Sequence, residues 1–92
     1  MSQRDKLLNK TKNNPNNVKF ETLQSLLLYF GFKERQPKSG SSHYTYTYND
    51  YIITIPKHRP VNKIYVKKVL KILSELNFIN EEWFFWKIYN IT

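Results

Sequence analysis

Apolar positions along the chain fall into two rhythms. Val18, Phe20, Leu23, Leu26, Leu27 and Phe30 recur at three- and four-residue steps, which predicts an amphipathic helix over 19–30. Val66, Val69, Leu70, Leu73 and Leu76 predict a second helix over 63–76, with Asn62 as its N-cap. Between them the period drops to two. Tyr44-Thr45-Tyr46-Thr47-Tyr48 and Tyr51-Ile52-Ile53-Thr54-Ile55 flank Asn49-Asp50, the pattern of a β-hairpin over 42–55. Pro56 stops the return strand because it has no N–H to give a ladder. Phe32–Gln36 alternates weakly and ends at Pro37, which predicts a short strand.

The connections support these elements. Gly31 stands where the residue after a helix turns left-handed, with Phe32 placed to close that cap. Residues 3–12 suit a short polar helix anchored by Leu7 and Leu8, too short to be stable without docking. Asn13-Asn14-Pro15-Asn16-Asn17 breaks the chain after it. The order is (α)αβββα, an α+β class, and it divides into a helical leader (1–17), a central domain (18–77) and an aromatic tail (78–92). A three-stranded antiparallel sheet with both long helices on one face would bury the two helix stripes together. Strand alternation then separates Tyr44, Tyr46 and Tyr48 from His43, Thr45 and Thr47. The tyrosines have the larger apolar bodies and are expected inward, which leaves His43 toward solvent.

Charge changes the picture. Fifteen Lys and Arg against seven Asp and Glu leave the 92 residues at +8, a field that attracts polyanions: nucleic acid, an anionic membrane or an acidic protein. With no cysteine there is no disulfide and no thiolate metal site, and two histidines with scattered carboxylates disfavour a structural zinc. No cofactor is expected. The start lacks the apolar core of a signal peptide, and no apolar run could span a bilayer, so the expectation is a cytoplasmic protein without a membrane partner.

Gly40-Ser41-Ser42-His43-Tyr44, following Phe20…Leu23…Leu26-Leu27…Phe30-Gly31-Phe32, and then Ile53-Thr54-Ile55-Pro56-Lys57-His58 and Tyr65-Val66-Lys67, resemble the HicA-type mRNA-interferase toxins. Lys6-Leu7-Leu8 and Asn13–Val18 resemble the leader of longer members, so the resemblance covers residues 4–77. It implies a small double-stranded-RNA-binding-like αβββα domain. It also implies an endoribonuclease acting on mRNA and held inactive by a HicB-type antitoxin, with His43 as the catalytic histidine. This chain departs from the family's Gly-Ser-His by one extra serine, and its tail beyond Asn77 has no counterpart there.

RNA cleavage without a metal needs a base for the ribose 2′-hydroxyl, an acid for the leaving 5′-oxygen and positive charge at the phosphorane. Histidine can serve as either, since its ordinary pKa lies near neutrality. His43 is therefore the candidate catalytic residue, against the plainer reading of a surface histidine. His58 is a candidate assistant or an antitoxin contact. Lys57 and Arg59 are candidate phosphate holders, Arg59 through its bidentate fork. Gly40, Ser41 and Ser42 are candidates for backbone approach and hydrogen bonds to phosphate. Lys63, Lys67 and Lys71, spaced four apart with Lys68 beside them, could follow an RNA backbone or simply form a solvated face. No carboxylate is placed to complete a hydrolase triad. Two other functions fit the same chain: a non-catalytic RNA-binding module, or a protein-interaction domain working through its aromatic tail (78–92), which carries Trp83, Phe84, Phe85 and Trp86.

Overall fold

The two long helices end in the same device. The computed structural model describes residues 3–79, and in it α2 (Phe20–Tyr29) stops at Phe30, after which Gly31 takes φ 96°. Gly31 N–H then donates to the Leu28 carbonyl at 3.1 Å and Phe32 N–H to that of Leu27 at 3.0 Å, the paired bonds of a Schellman cap. α3 (Lys63–Glu75) repeats it with asparagine: Asn77 adopts φ 61°, its N–H donates to Ser74, and Phe78 N–H donates to Leu73. At the front of α3, Asn62 accepts the Ile64 N–H on its side-chain oxygen at 3.0 Å, the expected N-cap.

Three strands lie between these helices: β1 (Lys33–Arg35), β2 (His43–Tyr48) and β3 (Tyr51–Pro56). They form one antiparallel sheet in the order β1-β2-β3. Tyr48 pairs with Tyr51 around the Asn49-Asp50 turn, where Asn49 takes φ 52°, a left-handed value that asparagine tolerates. Pro56 lies inside β3, opposite His43. Lys57 N–H continues the ladder to the Ser42 carbonyl at 2.8 Å, so the proline nitrogen faces the open edge and no ladder bond is lost.

Alternation divides the sheet as expected. Tyr46, Ile53 and Ile55 are buried in one apolar cluster with Leu23, Leu26 and Leu27 of α2 and Val66, Val69, Leu70 and Leu73 of α3. Each such side chain contributes about 1.5–3 kcal/mol on burial, so this layer holds the helices to one face. α1 (Gln3–Asn13) docks against α2, and its Leu7 and Leu8 join the same cluster. The architecture is a small α+β fold with an αβββα core and a leading helix.

One inward position is charged. Glu34, between Lys33 and Arg35, pairs with Tyr46 and turns its carboxylate to the core side. There it accepts hydrogen bonds from the Tyr46 hydroxyl at 2.7 Å and from Gln24 Nε2 at 2.6 Å, with Gln36 at 3.4 Å. Burial pushes the Glu34 carboxyl up, but these donors outweigh it and hold it below the usual carboxylate range. Burial and the neighbouring carboxylate push the Tyr46 hydroxyl well above its ordinary value.

Phe78 extends the core at the hairpin-turn end, stacking on Phe30 at 5.0 Å between centroids and meeting Tyr48 edge-on at 5.5 Å. The aromatic run Trp83–Trp86, assigned above to the tail, lies outside the described residues.

Candidate nucleic-acid site

β2 begins at His43, and that beginning is built by a turn. Ser41 N–H closes Lys38–Ser41 by donating to the Lys38 carbonyl at 3.0 Å, and Gly40, third in that turn, takes φ 86°. Glycine is needed there for its conformation: a Cβ would meet nothing within 4 Å. Ser41 Oγ then accepts the His43 backbone N–H at 3.3 Å, and the Ser42 carbonyl accepts Lys57 N–H. The strand entrance is held from both sides, and the His43 side chain stays exposed.

On the open face His43 shares a shallow hollow of about 300 Å³ with Arg35, Lys38, Ser41 and Thr45. Sheet register makes this grouping. Arg35 lies opposite Thr45, two residues on from His43, which makes Arg35 and His43 diagonal neighbours that long side chains can bridge. Neither Arg35 nor Lys38 has an ion-pair partner among the described residues. The periodic pattern did not single out either residue as part of the site. The signal that could have found Arg35 is the strand spacing Lys33-Glu34-Arg35 read with Glu34 inward, which places both cations on the face of His43.

The basic loop sits differently. Arg59 is held by Glu21 of α2, N to O at 2.6 Å, with both side chains substantially exposed. Lys57 Nζ lies 5.8 Å from the Phe20 ring centroid, and His58 is exposed, its N–H donated to the Pro56 carbonyl. Lys57, His58 and Arg59 do not line the His43 hollow. The loop still touches the strand entrance through Lys57 and Ser42.

The lysines of α3 divide. Lys71, with Lys68, lines a groove of about 470 Å³ along the β3 edge, between Ile52 and Thr54 of the open face and Tyr51 and Ile53 of the helix side. Lys63 and Lys67 do not reach it. Glu75 also lines that groove, and burial together with its carboxylate raises the Tyr51 hydroxyl above its ordinary value. Among the described residues no three His, Asp or Glu side chains gather where they could hold a metal ion, and no helix is long and apolar enough to cross a membrane.

Comparison with protein-family models, with curated proteins and with solved structures returns no match to this chain.

Proposed function

We propose that this protein is an endoribonuclease of the HicA mRNA-interferase kind, built on a double-stranded-RNA-binding-like domain and neutralised by a HicB-type antitoxin. The family reading rests on the sequence resemblance. The observation that supports the chemistry is the position of His43: exposed at the head of β2, in an open hollow with two cations and no carboxylate. A strand of RNA entering that hollow brings its phosphate to Arg35 and Lys38. There the positive charge favours the phosphorane over the ground-state diester, because the developing charge is larger.

His43 in its neutral form takes the proton of the 2′-hydroxyl as the 2′-oxygen attacks phosphorus. The P–O5′ bond then breaks, and the imidazolium returns the proton to the departing 5′-oxygen, leaving a 2′,3′-cyclic phosphate and a 5′-hydroxyl. Atoms and charge balance without a co-reactant, and the neutral histidine is restored. His58 is too loosely connected to the hollow to be assigned the acid role; it and the Lys57–Arg59 loop suit contact with the antitoxin or with flanking RNA.

The test is incubation with mixed-sequence RNA in excess chelator, wild type beside His43→Ala. Wild type cuts and leaves cyclic phosphate ends, while His43→Ala binds RNA and does not cut. Equal binding with no cutting by either protein would sink the enzyme reading in favour of an RNA-binding module.

A further inference from the structure

The His43 hollow opens on the outer face of the sheet, and the α3 groove runs along the β3 edge, reached from that face past Ile52 and Thr54; the register joins them. Arg35, Thr45 and Thr54 stand opposite one another in a row across all three strands. The two threonine hydroxyls are hydrogen-bonded at 3.0 Å. A second row, Lys33, Thr47 and Ile52, runs beside it, with Ile52 68 % exposed. Lys33, Arg35 and Lys38 lie at one margin of this face; Lys68 and Lys71 lie at the other, beyond β3. No outward position of the three strands carries an acid, since Glu34 turns inward. Among the described residues, the one acid in the lining of the two hollows is Glu75, on α3, set against four cations: Arg35, Lys38, Lys68 and Lys71.

We infer that a single strand of RNA crosses the open face of the sheet along the Arg35–Thr45–Thr54 row, from the His43 hollow to the Lys68–Lys71 groove. The inference rests on the reading of His43 as an RNA site and adds the path of the substrate. Cations at the two margins hold successive phosphates, and the threonine hydroxyls between them offer donors to the backbone or sugar. The neutral middle of the face leaves bases room to lie over Ile52. A single strand fits better than a duplex. Three strands span about 10 Å, whereas a domain reading A-form RNA follows its grooves over a long stretch. A single strand is also free to bring its 2′-oxygen in line with the bond that breaks.

The experiment measures binding of a 2′-O-methyl RNA decamer, which lacks the attacking hydroxyl, by fluorescence anisotropy across a salt series. It compares the 92-residue wild type with Arg35→Gln/Lys38→Gln, Lys68→Gln/Lys71→Gln and, as a control on α1, Lys6→Gln/Lys10→Gln. All six positions are exposed, so the variants keep the core. Each phosphate contact to a single strand carries about 0.7 of the slope of log Kd against log salt, so each face variant lowers the slope by about 1.4. The control keeps the wild-type slope. An unchanged slope for Lys68→Gln/Lys71→Gln, with wild type still cutting natural RNA, overturns the path alone and gives that margin to a protein partner. Duplex binding as tight as single-strand binding also overturns it. Wild type that binds no RNA at any salt takes down both the path and the RNA reading of His43.

Discussion

Replacing Tyr46 with phenylalanine removes one oxygen from the centre of the fold and leaves the ring where it is. Tyr46 has no exposed surface, so the aromatic packing and the burial free energy of the ring stay. What is lost is a single hydrogen bond, from the hydroxyl to the Glu34 carboxylate at 2.7 Å. A bond to a charged acceptor contributes about 1.5–3 kcal/mol. Gln24 still reaches that carboxylate at 2.6 Å, so Glu34 is not orphaned and the lower part of the range applies, about 2 kcal/mol. For a chain of this length that lowers the melting temperature by roughly 10 °C.

The pH dependence makes this prediction specific. Glu34 is held below the usual carboxylate range, so its contribution is present above the unfolded-state value and is lost as pH falls through the folded one. Tyr46 is pushed above its ordinary 10.0, so its contribution is complete below that value and declines as pH rises past it. The difference in melting temperature between wild type and Tyr46→Phe is therefore widest and flat from about pH 5 to 9. It narrows on both sides, as Glu34 protonates in acid and as the unfolded tyrosine ionises in base. Thermal melts followed by circular dichroism across that range provide the measurement. A difference that persists undiminished at pH 3 and pH 11 would refute the assignment of the effect to the Tyr46–Glu34 bond. Because the hydroxyl lies on the face opposite His43, the RNA cleavage proposed above is expected to stay at the wild-type rate at neutral pH and low temperature.

Two further predictions concern stability. Gly31→Ala forces an L residue to φ 96° and brings its Cβ to 3.4 Å from the Tyr48 ring. It costs about 1–2 kcal/mol from the backbone alone, and more than Gly40→Ala, where the added methyl meets nothing; chemical denaturation of the two side by side tests the order. Arg59→Ala breaks an ion pair whose partners are 73 % and 45 % exposed, and it leaves the melting temperature unchanged. A marked loss would show that the loop after β3 is held by Arg59 rather than by the Val61 N–H bond to the Val18 carbonyl at 2.9 Å.

Most of the fold is legible in the sequence because its signals are local. The apolar stripes of α2 and α3 need only helical periodicity, and Gly31-Phe32 and Asn62 mark their ends by backbone geometry and side-chain capping. The hairpin is written in alternation around Asn49-Asp50, and the same alternation sends Tyr46 inward and His43 outward. Asn77-Phe78 closes α3 by the same bonds as Gly31-Phe32, but asparagine marks the left-handed turn less plainly than glycine does, and the aromatic residues after it obscure the boundary.

Tertiary structure alone decided what the charges meet. Lys33-Glu34-Arg35 has no apolar member of its own; the alternation begun by buried Phe32 points Glu34 inward, but nothing local shows what would satisfy a carboxylate there. Pairing with Thr47, Tyr46 and Thr45 turns Glu34 inward, where Gln24 and Tyr46 can satisfy it, and turns Lys33 and Arg35 to the face of His43. The same holds for the basic loop and the lysine stripe. Spacing makes Arg59 and Lys71 look alike, yet Arg59 is held by Glu21, thirty-eight residues away in sequence, while Lys71 faces the groove beside β3. A periodic pattern reports which side of its own element a residue occupies; what stands opposite that side depends on register and on the packing of elements distant in the chain.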